Sequence, residues 1–279
     1  MPVVTRFAPS PTGYLHLGHG FAALTAEARA RAGGGRFLLR LEDIDAQRCR
    51  ADYADAIMAD LAWLGLSWDG PVRRQSQHFA AYRAVLDGLA ARGLVYPCFC
   101  TRAEIAREIA NAAAAPHGPE GPRYPGTCRR LSPADRAARE ASGAPHALRL
   151  DMAKALAEVA GPLTYEEEGV GTLACDPARF GDVVLGRKDI PASYHLCVTH
   201  DDALQGVTLV TRGADLRSAT DLHRLLQALL GYPAPRYAHH ALLVNKSGQR
   251  LSKRDGALSL RELRAAGESP EKVRARLEV

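Results

Sequence analysis

The stretch from Arg6 to His19, RFAPSPTGYLHLGH, constrains the fold more than any other part of the chain. It overlaps an apolar run, residues 3–7, that suits a buried parallel strand. A Pro/Gly-rich loop follows, then His16 and His19. The Ala-rich run 18–31 predicts a helix, ended by Gly33-Gly34-Gly35. Residues 36–41 (RFLLRL) return as a strand. Strand, helix and strand in this order demand a crossover and a parallel pair. Ligands of such sheets sit beyond the carboxyl ends of the strands, which predicts one crevice around Ser10, His16, His19 and Glu42. A helix starting there offers unpaired N–H groups and a positive partial charge to phosphates.

Far downstream, residues 250–254 read RLSKR, a short basic loop around Lys253. A lysine there could add charge where pyrophosphate leaves a nucleotide. His-x-x-His alone carries little, but the long first motif followed by this loop carries much more. Residues 52–64 and 79–92 predict helices, the second with Val85, Leu86 and Leu89 on one face. The centre, 97–180, differs in character: an Ala-rich helix (102–115), a Pro/Gly loop (116–126), a second Ala-rich stretch (133–142) and an acidic, Gly-rich patch (166–171). It reads as an insertion between residues 1–96 and 181–279, the two halves of a nucleotide-binding fold. The runs 183–185, 194–198 and 207–211 are apolar or β-branched and are expected to resume the sheet. Residues 219–230 predict a helix, and a charged helix is expected over 259–266.

The chain has 279 residues, enough for a core of ordinary size, with 47% hydrophobic and 24% charged residues. Its net charge of +5 favours an anionic partner, and Arg73-Arg74, Arg129-Arg130 and Arg212 with Arg217 could serve one or be solvated surface. No secretory signal and no membrane-length apolar run is visible. Six cysteines in this length do not make a disulfide scaffold, so reduced thiols in the cytoplasm are expected. Cys98-x-Cys100 and Cys128 suggest zinc, because thiolates are preferred soft ligands. Structural zinc wants four donors. His117 is a fourth by general chemistry, and buried free thiols are the alternative. Cys49, Cys175 and Cys197 are isolated.

These motifs support a family resemblance. RFAPSPTGYLHLGH resembles the HIGH region of class I glutamyl-tRNA synthetases, and RLSKR resembles their KMSKS loop. LRLEDID (39–45), GDVVLGRKDIPASYHL (181–196) and VTRGADL (210–216) lie between them in the family's order. The sequence ends soon after RLSKR, where a full glutamyl-tRNA synthetase continues into a helical anticodon-binding half. The expectation is therefore no anticodon-binding domain and a resemblance to the short paralogue family, the glutamyl-Q tRNA(Asp) synthetases. That family attaches glutamate to queuosine in the anticodon loop of tRNA(Asp). HLGH for HIGH is a conservative change, and RLSKR keeps the central Ser-Lys.

The resemblance implies an α/β fold: a Rossmann-type parallel sheet with an inserted, zinc-containing subdomain similar to the family's acceptor-binding one. It implies ATP with Mg²⁺, L-glutamate and a queuosine-containing tRNA(Asp) anticodon stem-loop as partners, no membrane, and a monomer. Activation is expected to need no tRNA. His16, His19 and Lys253 would carry catalysis, with Gly18 and the same three residues around ATP. Gly13 and Gly18 let the backbone approach the nucleotide. Arg6, Ser10, Glu42, Tyr194 and Arg212 would line the amino-acid pocket. Arg6 and Arg212 are candidates for the glutamate carboxylates, since an arginine fork suits them, and Glu42 for the ammonium. Zinc, one per chain and structural, would be held by Cys98, Cys100, Cys128 and a tyrosine matching Tyr124, with His117 still open as the fourth ligand. Two other readings remain: a truncated glutamyl-tRNA synthetase charging the 3′ end of tRNA(Glu), or a non-catalytic tRNA-binding paralogue.

Overall fold

The computed structural model describes residues 2–111, 117–119, 121–243 and 258–277, without the side chains of 111, 117 and 118. The RLSKR loop with Lys253 lies outside the described residues, and so does the His117 side chain. The chain opens with β1 (Val4–Phe7), α1 (Leu17–Ala32) and β2 (Arg36–Leu41), and β1 pairs with β2 in parallel. After α2 (Ala51–Trp63), the short β3 (Arg73–Arg74) joins the far side of β2, also in parallel. Next come α3 (Phe79–Ala91), β4 (Val95–Cys98), α4 (Arg102–Asn111), the small hairpin β5 (His117–Gly118) and β6 (Gly121–Pro122), α5 (Pro133–Ala141), β7 (Ala147–Leu150) and α6 (Met152–Glu158). The remainder is β8 (Thr164–Glu167), β9 (Gly171–Ala174), β10 (Val184–Gly186), α7 (Tyr194–Leu204), β11 (Leu209–Gly213), α8 (Ala219–Leu230), β12 (Arg236–His240), α9 (Leu260–Ala265) and α10 (Pro270–Leu277).

The strand–helix–strand unit occurs twice. β11, α8 and β12 repeat the plan of β1, α1 and β2, with β11 and β12 parallel. β1 lies beside β11: the Thr208 amide donates to the Val4 carbonyl at 3.0 Å, and the Val4 amide donates to Thr208 Oγ1 at 2.9 Å. The first unit moves away from this seam in one direction and the second in the other. That is the topological switch point of a doubly wound sheet, where ligands bind at the carboxyl ends of strands. β1 is buried at every position because strands flank it on both edges. Its one hydroxyl, on Thr5, donates to the Ala26 carbonyl of α1 at 2.7 Å, so burial leaves it satisfied.

The centre of the chain builds a separate antiparallel sheet in the order β10-β7-β4. The β8–β9 hairpin does not join it. β8 instead adds in parallel to β12, at Glu167 opposite Tyr237, so the acidic patch at 166–171 ends up beside the second strand–helix–strand unit. Two expected strands are corrected: 183–185 falls at β10 of the antiparallel sheet and does not resume the parallel one, and 194–198 is the first turn and a half of α7. α7 is buried nearly all round, and Leu196, Leu222, Leu225 and Leu226 share one core with Tyr82 and Leu86 of α3. A helix buried on most sides loses its polar stripe, so the mostly apolar run 194–198 looks like a strand.

A second core gathers α1, β2 and α2 with α9 and α10. Helices as short as α9 and α10 do not hold alone in water. Leu260, Leu263, Val273 and Leu277 are buried there, and burying four such side chains contributes about 6–12 kcal/mol toward docking both. Among the described residues, no helix is long and apolar enough to cross a membrane.

The turn from α1 into β2 tests how tightly the first unit is built. A Cβ on Gly35 would stand 1.7 Å from the Val3 carbonyl oxygen, whereas Gly34, at φ +60°, faces open space. Gly34→Ala should cost about 1 kcal/mol for its left-handed backbone, and Gly35→Ala about 3 kcal/mol for a clash with backbone that cannot turn aside. Urea titration of both variants checks this. Equal losses would contradict the close approach.

Candidate active site

A cavity of about 400 Å³ opens at the switch point, lined by the loop after β1, the start of α1, Glu42 after β2, the end of β11 and the residues after β12. It brings Arg6, Ser10, His16, Gly18, His19, Glu42, Tyr194 and Arg212 together. Of the expected glutamate and nucleotide residues that the structure describes, only Gly13 is not among those lining the cavity. Lys253 lies outside the described residues, but both flanks of its segment do not. Leu243 lines the cavity, and Ser259 forms an isolated β-bridge with His16, backed by the Leu260 amide donating to the Leu15 carbonyl at 2.8 Å.

His16 caps α1. Its Nδ1 accepts from the Gly18 amide at 3.1 Å, while His19 Nδ1 accepts from the His16 amide at 3.2 Å. The pair is a reciprocal capping box made of imidazoles instead of hydroxyl and carboxylate. Both Nδ1 atoms are acceptors, so in the neutral rings the proton sits on Nε2. A Cβ at Gly18 would lie 3.0 Å from His16 Cε1, so glycine there leaves room for the ring. Two imidazoles in close, tilted contact, centroids 3.8 Å apart, therefore mark the positive end of a helix on the cavity wall.

The cavity floor is ionic. Arg6 is 5% exposed; its Nε donates to Asp202 Oδ1 at 2.9 Å and its Nη1 to the Thr211 carbonyl at 3.1 Å. Arg40, fully buried, donates from Nη1 to the same Asp202 oxygen at 2.8 Å and from Nη2 to Glu42 at 3.3 Å. Burial pushes the Asp202 carboxyl up, but Arg6 and Arg40 outweigh it and hold it below the ordinary carboxylate range. Burial wins at Glu42, whose carboxyl is raised although Arg40 and Arg6 pull it down. An arriving ammonium would hold Glu42 ionised. Arg40 and Asp202 were not among the expected residues. The sequence signal for them was thin: Arg40 sits inside a strand pattern, and Asp201-Asp202 lies between the runs 194–198 and 207–211, both expected as strands.

Arg212, 6% exposed, is held differently. Nε donates to His239 Nε2 at 3.2 Å, Nη2 donates to Thr220 Oγ1 at 2.7 Å, and Nη1 lies 3.1 Å from His223 Nδ1. Tyr194 sits at the start of α7 with its ring 5.9 Å from that of His223, and burial, then Glu42, raises its phenol. Three of the arginines that could serve an anionic partner have carboxylate partners in the chain: Arg73 pairs with Asp201 at 2.9 Å, Arg129 with Asp182 at 3.0 Å and Arg217 with Glu167 at 3.4 Å, the last two staying partly exposed.

The cysteine cluster lies off the β4 end of the antiparallel sheet. The sulfurs of Cys98, Cys100 and Cys128 lie within 4.8 Å of one another. Tyr124 Oη is 3.4 Å from both Cys98 Sγ and Cys100 Sγ, and Cys100 Sγ is 3.4 Å from Cys128 Sγ. Tetrahedral zinc with bonds of about 2.3 Å sets sulfurs about 3.8 Å apart. The three thiols and the phenol therefore suit one ion of that size. Arg149 lies over the Tyr124 ring, 3.9 Å from its centroid, while burial and the contact with Cys100 raise the phenol, so the cation of a bound metal would have to make it a phenolate donor.

Comparison with known proteins agrees with this geometry. The family of class I tRNA synthetases (E and Q), catalytic domain, matches residues 2–278. A glutamyl-Q tRNA(Asp) synthetase of Rhodobacter capsulatus is 48% identical over 285 residues, covering 98% of this chain and 98% of that one. The one of Nocardia farcinica is 50% identical over 272 residues, covering 98% of this chain and 82% of its own. The crystal structure of a glutamate tRNA ligase from Elizabethkingia meningosepticum, in complex with its amino acid, superposes with a TM-score of 0.78 at 29% identity, covering 92% of this chain and 53% of the ligase. This chain thus spans about half the length of that ligase. With the histidine-capped helix, the paired arginines at the switch point and this full-length likeness, the chain belongs to the class I glutamate- and glutamine-type tRNA synthetase family, among the glutamyl-Q tRNA(Asp) synthetases.

Proposed function

We propose that the chain is a ligase that activates L-glutamate with ATP, without needing tRNA, and transfers it to queuosine in the anticodon loop of tRNA(Asp). The observation that carries this reading is one cavity holding two buried arginines, a glutamate and a histidine-capped helix start. The names of its relatives supply the acceptor.

In activation, an oxygen of the glutamate α-carboxylate attacks the α-phosphorus of ATP, and the bond to pyrophosphate breaks. Arg6 and Arg212 receive the two carboxylates, and Glu42 receives the ammonium. His16 and His19 donate from Nε2 toward phosphate oxygens at the positive end of α1. Lys253 would neutralise the leaving pyrophosphate; of the described residues that flank its segment, Leu243 lines the cavity and Ser259 is bridged to His16. Mg²⁺ accompanies ATP and shields its triphosphate charge. In transfer, a hydroxyl of the queuosine cyclopentenediol attacks the glutamyl carbonyl and AMP leaves. Residues 97–180 would serve the RNA stem-loop, working in the cytoplasm as a monomer.

Glutamate-dependent ATP–pyrophosphate exchange without RNA should be measurable. A queuosine-containing stem-loop of tRNA(Asp) should accept labelled glutamate, while the same stem-loop with guanosine should not. Glutamate on the 3′ end of tRNA(Glu) and none on the stem-loop would support the truncated-synthetase reading instead.

Arg6→Ala leaves Asp202 paired with Arg40 and so should spare the fold. It should raise the KM for glutamate roughly ten- to a hundredfold, the cost of a lost charge-assisted contact. An unchanged KM in steady-state exchange kinetics would remove Arg6 from the pocket.

We assign the cysteine cluster to zinc, which would tie the end of β4 to the segment around Cys128. Purified protein should carry about one equivalent. Cys100→Ser should lose it, and Tyr124→Phe should weaken it. Metal analysis finding none in fresh wild-type protein rejects the site, and a zinc-replete Tyr124→Phe points to His117.

A further inference from the structure

The two cavity arginines differ in what surrounds them. Arg6 has a carboxylate partner, but the hydrogen-bond partners of Arg212 are a hydroxyl and two imidazoles, those of Thr220, His223 and His239. A guanidinium only donates. Each imidazole must therefore turn a lone pair toward it, and neither can be an imidazolium without setting donor against donor. The chain of contacts fixes which nitrogen does this. Glu167 Oε2 is 2.7 Å from His239 Nδ1 and accepts its proton, leaving His239 Nε2 bare for Arg212. The Nδ1 of His223 faces Arg212, so its Nε2 carries the proton, 3.1 Å from His195 Nδ1. Three of the five N–H groups of Arg212 are thereby engaged, and two remain on a residue that lines the cavity.

We propose that His223 and His239 are positioning residues for amino-acid recognition: as neutral imidazoles of opposite tautomer they hold the Arg212 fork and leave its charge for a ligand carboxylate. This rests on glutamate being the amino acid that is activated. The groups that face the two rings agree with neutrality. Glu167 alone favours a charged His239. Arg212, Arg217 and Arg6 oppose charge on the rings, and His195, Tyr194 and Tyr237 pack beside them. Burial, then Arg212, keeps His223 well below the ordinary imidazole range, and burial pulls His239 down to about 4. A carboxylate partner for Arg212 would satisfy the charge internally and weaken its claim on substrate. Neutral acceptors orient the fork without neutralising it.

The opposite tautomers give a test that a packing role would not pass. An asparagine carbonyl falls near the Nδ1 position of a histidine, and a glutamine carbonyl near Nε2. His223→Asn and His239→Gln should therefore keep the acceptor, while His223→Gln and His239→Asn should lose it. In glutamate-dependent ATP–pyrophosphate exchange, the first pair should keep the KM for glutamate within about threefold of wild type. The second pair, with His223→Leu and His239→Leu, should raise it roughly ten- to a hundredfold, with kcat and the KM for ATP nearly unchanged. If a leucine variant does not fold, the mirrored amide pairs still decide. The same amide favoured at both positions, or a glutamate KM indifferent to all six changes, overturns the proposal. Wild-type protein without any glutamate-dependent exchange overturns the functional reading itself, a result separate from either.

Discussion

One carboxylate holds the two halves of the sheet in register. Asp202, on α7, accepts at a single oxygen from Arg6 of β1 and Arg40 of β2. Its neighbour Asp201 accepts from Arg73 at β3, from Gln75 and from Tyr82 of α3. Two successive residues of one helix therefore grip three strands and a helix of the first half. The charges are buried, so Asp202 is costly to remove: leaving a buried charge without its partner typically costs about 3–5 kcal/mol, and here two guanidiniums would lose this carboxylate. The arrangement is also what aims Arg6. A long side chain in water has many rotamers, and here its Nε and Nη1 are both committed before any substrate arrives.

The rest of the cavity follows from where this clamp places the strand ends. β1 and β11 meet at the switch point, so the residues just past them face one another across a gap. On one side are paired charges, Arg6 and Arg40 with Asp202 and Glu42. On the other is Arg212 among neutral acceptors. The capping box of His16 and His19 closes the third side, and α9 secures it from behind, since Ser259 is bridged to His16 and capped by its own Glu262. A site that must hold an amino acid and a triphosphate needs cationic groups kept apart from one another and already oriented. Three different devices meet that need here: an ion pair, a set of imidazole acceptors and a helix terminus.

The chain's own order of residues carried a good deal of this. The run from Val3 to Leu41 spells strand, loop, helix and strand, because apolar continuity, Pro and Gly in the loop and alanine in the helix each point to one local structure. The crevice around Ser10, His16, His19 and Glu42 follows from that unit alone, as every member belongs to it or directly adjoins it. The Cys98–Cys100 spacing likewise announces a cluster, and Cys128 closes it from nearby in sequence.

What the sequence could not state is how distant pieces choose partners. Residues 194–198 look like a strand because a helix buried on most sides shows no polar face. Arg212 and Arg217 look alike as an anion-binding surface, yet Arg212 is buried against His239 and His223 while Arg217 stays exposed with Glu167 as its partner. Glu167 reads as part of an acidic loop until β8 pairs with β12 and carries it to His239. Local sequence thus determined the nucleotide-binding unit and the types of chemical group available. Only the tertiary structure decided which arginine is neutralised and which keeps its charge, because that depends on contacts between residues far apart in the chain, such as Arg6 with Asp202, where no spacing rule applies.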